Sequence, residues 1–220
     1  MKRVLKCPKS ALLPRAKKAR QAFLSRALTR LYPCAECALQ YEGDPFRLLV
    51  MARLSAQCTD ARVNAISPAL FARFPDAYAF ASAEQAELET YIFSTGMYRE
   101  KARQIIAMSR EIIERFGGEI PQTQKELTSL TGVGTKIANL MLGDVFSKPA
   151  IVADTHMIRL SRRWGFCDSD NQHKVEEALE KVTPVSDRAD FCHRAVLFGR
   201  ECCRAQNPSC ETCPLFTEEV

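Results

Sequence analysis

At 220 residues and 46% hydrophobic composition, the chain is long enough for one large or two small domains with a real core. No apolar run approaches the roughly 20 residues that a membrane-spanning helix needs. The ten cysteines gather towards the C-terminal end in metal-like spacing, which favours thiolate ligation in a reducing cytoplasm over a secreted disulfide scaffold.

The net charge of +5 hides an asymmetry. Residues 1–35 hold ten Lys and Arg and no acid, so the remainder carries 21 basic against 26 acidic residues. A basic segment of this kind is either a phosphate-binding tail or a solubilising one. Residues 1–19 are expected to form a flexible basic arm. Its apolar patch, Ala11-Leu12-Leu13, is too short for the apolar stretch of a signal peptide.

Helical signals follow in chain order. Phe23, Ala27, Leu28 and Leu31 recur at helical spacing, and Phe46 to Leu54 reads as a buried helix. Ser82-x-x-Gln85 and Thr123-x-x-Glu126 have the form of capping boxes. Ile105, Met108, Ile112 and Phe116 mark one helix face, which Gly117-Gly118 closes. Leu127 and Leu130 end one helix; Ile137, Leu140, Met141 and Val145 line the next, and Val175, Leu179 and Val182 continue the pattern. Alternating strands are missing, so the expected fold is all-α.

The chemistry concentrates at Leu130-Thr131-Gly132-Val133-Gly134-Thr135-Lys136 and, after a Pro-containing loop, at Asp154. Two glycines between helices let backbone N–H groups approach a phosphate. Such a hairpin reads no bases and binds DNA without sequence preference. Lys136 falls in the first turn of the second helix, whose positive end disfavours a second positive charge. A neutral amine there forms a Schiff base with a sugar carbon. Asp154 is suited to accept a proton and to stabilise positive charge on the sugar; Asp154-Thr155 also reads as a helix cap.

The run Leu-x-Gly-Val-Gly-x-Lys-x-Ala-Asn, then Val152, Asp154, Thr155 and His156, closely resembles the helix-hairpin-helix DNA glycosylases of the endonuclease III type. The similarity extends through Leu54-Ser55-Ala56-Gln57-Cys58-Thr59-Asp60, Gly96-Met97-Tyr98-x-x-Lys101-Ala102 and Gly199-Arg200, and covers roughly residues 44–215. The resemblance implies an all-helical two-domain fold with DNA in the cleft between domains. One domain would comprise residues 45–149 with the hairpin; the other, residues 20–44 plus 150–220, would end in a cysteine-rich loop. It also implies excision of oxidised pyrimidines and AP lyase activity on double-stranded DNA carrying a damaged base or an abasic site. By that match Lys136 is the nucleophile and Asp154 the catalytic carboxylate. The chain departs from the family at Ser147-Lys148, where a glycine is common, at Cys58 for alanine, and at Met97 for leucine.

An enzyme that acts on a base expels it from the stack and fills the gap. By the resemblance, Gln57 enters the vacated space and Met97 is the wedge; Gly132, Val133 and Gly134 hold the backbone, and Lys101 contacts phosphate. From the residues alone, Gln57 also suits a helix cap, Met97 loop packing, Lys101 a solvated helix face, Asp60 a cap and His156 a structural role. Cys203-x6-Cys210-x2-Cys213 matches the first three ligands of the family's [4Fe–4S] loop. The position of the fourth is Glu219 here. The candidates left open are Cys202, Glu219, Cys34, Cys37 and a cysteine beyond residue 220, with zinc as the alternative metal. The expectation is a monomeric, cytoplasmic bifunctional glycosylase and lyase. The rivals are a monofunctional adenine glycosylase-like enzyme, a non-catalytic helix-hairpin-helix module, and a metal-dependent regulator.

Overall fold

The computed structural model describes residues 7–216. Glu219 lies outside them. The helices are α1 (Lys17–Leu31), α2 (Pro45–Leu54), α3 (Asp60–Arg73), α4 (Ala77–Ala81), α5 (Gln85–Ile92) and α6 (Tyr98–Phe116). They continue with α7 (Gln124–Thr128), α8 (Thr135–Asp144), α9 (Thr155–Arg163), α10 (Gln172–Glu180) and α11 (Arg188–Glu201). Four short 3₁₀ turns complete the secondary structure, and no strand occurs among the described residues. The chain divides into two compact units, one of residues 37–147 and one formed by the segments up to 36 and from 148. The sequence reading sets these divisions at 44/45 and 149/150.

The contiguous unit holds α2 to α8. Asp44 starts α2 by accepting the N–H groups of Phe46 and Arg47 at 2.8 and 3.1 Å, and Pro45 occupies the first helical position, where no N–H is needed. Phe46, Phe71 and Phe74 surround Phe80, with ring centroids 5.2 to 6.1 Å apart. The face of α6 carrying Ile105, Met108 and Ile112 is buried, and the helix packs on α4, α5 and α2. It ends at Gly117 in the left-handed conformation. Thr123 caps α7 as expected, accepting the Glu126 N–H at 3.2 Å. Ser82 caps nothing: its hydroxyl donates back to the Tyr78 and Ala79 carbonyls as α4 ends, and α5 begins from Glu84 without a side-chain cap.

The second unit joins both ends of the chain. Trp164 lies among Phe166, Phe191 and Phe198 at 6.0 to 6.5 Å, with Leu24 and Leu28 of α1 in the same core. Helix α11 packs against α9 and α1. At Gly199 a Cβ would meet His156 Nδ1 at 2.9 Å and Arg159 Nη2 at 3.1 Å, so close packing on α9 requires glycine. The expected flexible arm is corrected from residue 7 onwards. Lys9 Nζ donates to the Glu211 carbonyl at 2.9 Å, Leu13 enters the core, and Lys17 Nζ donates to the Phe166 carbonyl at 2.7 Å. Arg20 holds the carbonyls of Pro14, Arg15, Trp164 and Gly165. Of the apolar patch only Leu13 is buried, while Leu12 stays exposed, and the basic side chains act as hydrogen-bond donors to carbonyls.

Candidate functional site

The hairpin joins α7 to α8 through Ser129–Gly134. The Thr131 N–H and hydroxyl donate to the two oxygens of the Glu111 carboxylate at 2.7 and 2.5 Å, tying the loop to α6. Gly132 has φ +80°, and a Cβ there would lie 2.7 Å from Gln104 Oε1 and 3.0 Å from Arg53 Nε. The backbone conformation favours glycine, and a Cβ would also displace the ends of these two side chains. Arg53 donates to Gln104 at 2.6 Å and so sits under the turn. Burial holds the Arg53 guanidinium below its usual range, against the pull of Glu100. Val133 turns its side chain into the core, whereas Gly134 is exposed with open space where a Cβ would lie. Gly134 gives α8 no side-chain cap, so the first amides of the helix remain available to an anion. Lys136 is exposed in that first turn.

Four non-glycine residues of the same unit adopt left-handed backbone, Glu42, Gln57, Met97 and Ser147, and two of them are site candidates. Gln57 has φ 55° in the link between α2 and α3, and Met97 has φ 46° just before α6. Such angles are uncommon and gather at functional turns. Ser55 ends α2 and Thr59 caps α3, so Gln57 serves neither helix as a cap and Asp60 is simply a first-turn acid. Met97 is 48% exposed, and Phe93, 64% exposed, pairs with Tyr98 at 4.8 Å beside it.

Lys101 corrects its expected role. The residue is fully buried, and Nζ donates to the Leu54 carbonyl at 2.7 Å and the Thr95 carbonyl at 2.8 Å. Burial pushes its ammonium below the usual lysine range. A buried lysine already engaged by two carbonyls does not reach a phosphate. It fixes the ends of the segments that lead into Gln57 and Met97. Ser147, at the position where the family commonly has glycine, takes φ 50°, the conformation that glycine adopts freely.

In the other unit Asp154 caps α9, with Oδ1 accepting the Met157 N–H at 2.8 Å. The second oxygen leaves acceptor capacity for other work. His156 packs on Gly199, and burial holds its imidazole below 6.5, with Asp154 opposing that shift and Arg159 adding to it. The histidine thus has the structural role that its isolation in sequence favours.

The cysteine loop closes the unit. Cys7, Cys202, Cys203, Cys210 and Cys213 line one cavity together with Trp164, Phe198 and Leu215. Arg163, nearly buried, donates to Cys203 Sγ at 3.1 Å and to the Cys203 and Arg204 carbonyls at 3.0 and 2.8 Å. Arg159 holds the Cys203 carbonyl as well. Burial pushes the Cys213 thiol up to about 11 and raises Cys7 too. Among the described residues no three His, Cys, Asp or Glu side chains converge on a single-ion site; the thiols surround a space instead. A sulfur-only donor set around a cavity fits the chemistry of an iron–sulfur cluster. Cys34 is exposed, and Cys37, in the other unit, is half-buried with Asp144 and Asp60 among its electrostatic neighbours; neither lines this cavity.

The sequence reading missed Arg53, Gln104 and Glu111, which hold the hairpin from other helices. It also missed Phe93 and Cys7. Only Lys101 left a local signal, because it continues the buried face of Ile105, Met108 and Ile112 by one turn.

Known proteins agree with this architecture. The family model for the HhH-GPD superfamily of base excision DNA repair proteins matches residues 50–185. Endonuclease III of Synechocystis sp. is 43% identical over 201 residues, 91% of each chain. The Bacillus subtilis enzyme of that name is 42% identical over 85% of each chain. A solved structure of a trapped endonuclease III–DNA covalent intermediate superposes with a TM-score of 0.86 at 39% identity, covering 90% of this chain and 93% of that one. A non-covalent endonuclease III–DNA complex also gives 0.86 at 39% identity, over 90% and 92%. A thermostable thymine-DNA glycosylase, 20% identical, shares the fold with a TM-score of 0.80. On hairpin, fold and sequence together, the chain belongs to the HhH-GPD superfamily and, within it, to the endonuclease III family.

Proposed function

We propose that this chain is a base excision repair DNA N-glycosylase with AP lyase activity, acting on oxidised pyrimidines in double-stranded DNA. The observation that carries this reading is an exposed lysine, Lys136, one residue beyond Thr135 in the first turn of a helix with no side-chain cap, behind a turn whose backbone favours glycine at Gly132. The amides of Gly134 and the first turn of α8 bind a backbone phosphate and bring the sugar to the amine.

The neutral amine of Lys136 attacks C1′. The glycosidic bond breaks with its electron pair on the leaving base, which takes up a proton. Asp154 supplies the carboxylate that stabilises the developing positive charge and handles the proton of the amine. Opening of the sugar ring gives the Schiff base. Loss of a C2′ proton then expels the 3′ phosphate by β-elimination, and hydrolysis frees the lysine. Gln57 and Met97, on their left-handed turns, fill and wedge the gap left by the extruded base. The lysine nucleophile separates this reading from a monofunctional adenine glycosylase.

Cys203, Cys210 and Cys213 hold a [4Fe–4S] cluster in this proposal. When bound, it cross-links a loop that has little apolar core of its own. The protein acts on DNA as a monomer in the cytoplasm. A nicking assay over a panel of damaged duplexes, with borohydride present, tests the activity. Oxidised pyrimidines are expected to yield both nicked strands and a covalent protein–DNA product. Base release without nicking or trapping would assign a monofunctional enzyme instead.

A further inference from the structure

The family's cysteine pattern gives this chain three loop ligands and Glu219 where the fourth would stand. A [4Fe–4S] cluster takes four thiolates. The structure brings one more cysteine to the loop from the opposite end of the sequence. Cys7 lines the same cavity as Cys203, Cys210 and Cys213. Cys203 and Cys210 are among the electrostatic neighbours of Cys7, and Cys7 and Cys203 are among those of Cys213. The four cysteines thus line one cavity, and Cys7 is linked electrostatically to each of the other three.

Cys202 lines the cavity too, but it lies beside the Tyr32 hydroxyl, which donates to Glu201 Oε2 at 2.9 Å, and its other electrostatic neighbours are Glu201, Cys203 and Arg204. Cys7, Cys210 and Cys213 are not among those neighbours.

Cys7 and Cys213 also repeat one local design. Each begins a Cys-Pro dipeptide, Cys7-Pro8 and Cys213-Pro214. In each the cysteine carbonyl accepts the N–H three residues on, from Ser10 at 2.9 Å and from Phe216 at 3.2 Å respectively. Each lies at a 3₁₀ turn, Ser10–Leu12 following Cys7 and Pro214–Phe216 following Cys213. A nearby cation stabilises thiolate charge, and Arg163 donates to Cys203 Sγ and is also an electrostatic neighbour of Cys7. The N-terminal segment is fastened to the loop independently of any metal. Lys9 Nζ donates to the Glu211 carbonyl at 2.9 Å and lies 6.0 Å from the centre of the Phe216 ring.

We infer that Cys7 is the fourth thiolate of the cluster, so that the metal staples the N-terminal segment to the cysteine loop where the family pattern would use position 219, here Glu219. The inference rests on the cluster reading above and adds its own claim about Cys7. On binding, the four thiols lose their protons to solvent.

The test uses the full-length protein purified without oxygen, or reconstituted with iron and sulfide. Iron and sulfide are measured, and the protein is then alkylated with iodoacetamide and mapped by peptide mass spectrometry before and after a chelator removes the iron. Iron matched by sulfide is expected, with Cys7, Cys203, Cys210 and Cys213 protected together while exposed Cys34 is labelled. All four should become reactive once iron is removed. Cys7→Ala is expected to give a three-iron cluster with its paramagnetic signal, whereas Cys202→Ala keeps the wild-type spectrum. Labelling of Cys7 as fast as Cys34 in iron-loaded wild type would overturn the assignment whether or not the variant folds. So would Cys7→Ala with unchanged iron and spectrum. Wild type that holds no iron and sulfide, or holds zinc alone, would sink the cluster reading and this inference with it.

Discussion

Two lysines of the same unit show how differently one side chain can be used. Around Lys101 everything is closed: the ammonium is buried, two carbonyls accept its protons, and the turns leading to Gln57 and Met97 start from those carbonyls. Around Lys136 everything is open: the side chain is exposed, the helix end carries no side-chain cap, and Gly134 leaves space in front of it. A charge satisfied from within holds a structure in place. A charge presented at an unsatisfied helix end meets a ligand. In the proposed mechanism the rigidity of the first region positions Gln57 and Met97, and the openness of the second admits the sugar.

The largest expected effect comes from removing the open lysine. Lys136→Ala should abolish borohydride trapping on abasic DNA while leaving the melting temperature and duplex binding near wild type. Equal trapping by variant and wild type would remove Lys136 as nucleophile. Asp154 combines the two uses in the proposal: it caps α9 and is assigned as the catalytic carboxylate. Asn also caps helices well, so Asp154→Asn should fold and bind damaged DNA but lose about 10²–10⁴-fold in turnover. A folded variant with unchanged rate would leave Asp154 only its capping role.

Breaking the closed region should reverse the pattern. Lys101→Met leaves the Leu54 and Thr95 carbonyls without their donor, which costs about 1–3 kcal/mol for a buried group left unsatisfied. Denaturant unfolding should register that loss. Excision of a damaged base should fall more than cleavage at a preformed abasic site, because the loops that carry the wedge loosen while Lys136 is untouched. A variant with wild-type stability would contradict the anchoring role.

The smallest effect is a pH dependence. Burial holds the folded His156 imidazole below 6.5, so the folded protein binds fewer protons there than the unfolded chain. The associated stability is complete above that value and is lost as pH falls through the lower, folded value. Melting temperatures of wild type and His156→Gln across the acidic range should diverge in that direction. Parallel curves would show that His156 does not contribute.

Much of this organisation is legible in the sequence because it is local. Gly132-Val133-Gly134, the cap at Thr123 and the buried face of α6 are written within a few residues of where they act. Long-range partners leave no such mark. Glu111 reaches Thr131 from another helix, and Arg53 reaches Gln104 across 51 residues. Lys101 reads as a solvated lysine by type, although its register on the apolar face of α6 points inward. The basic N-terminal segment reads as a free arm by charge, yet Leu13 and the carbonyl contacts of Lys9, Lys17 and Arg20 dock it. Cys7 lies 196 residues before Cys203 in the chain, and only the fold makes them neighbours.

The contrast between the two lysines can be read from a single covalent product. Wild-type protein is trapped on abasic DNA with borohydride and digested, and the peptide carrying the sugar remnant is sequenced by mass spectrometry. The account predicts the modification on Lys136, with Lys101 unmodified. A remnant on the N-terminal amine, on Lys101 or on any other lysine would contradict it.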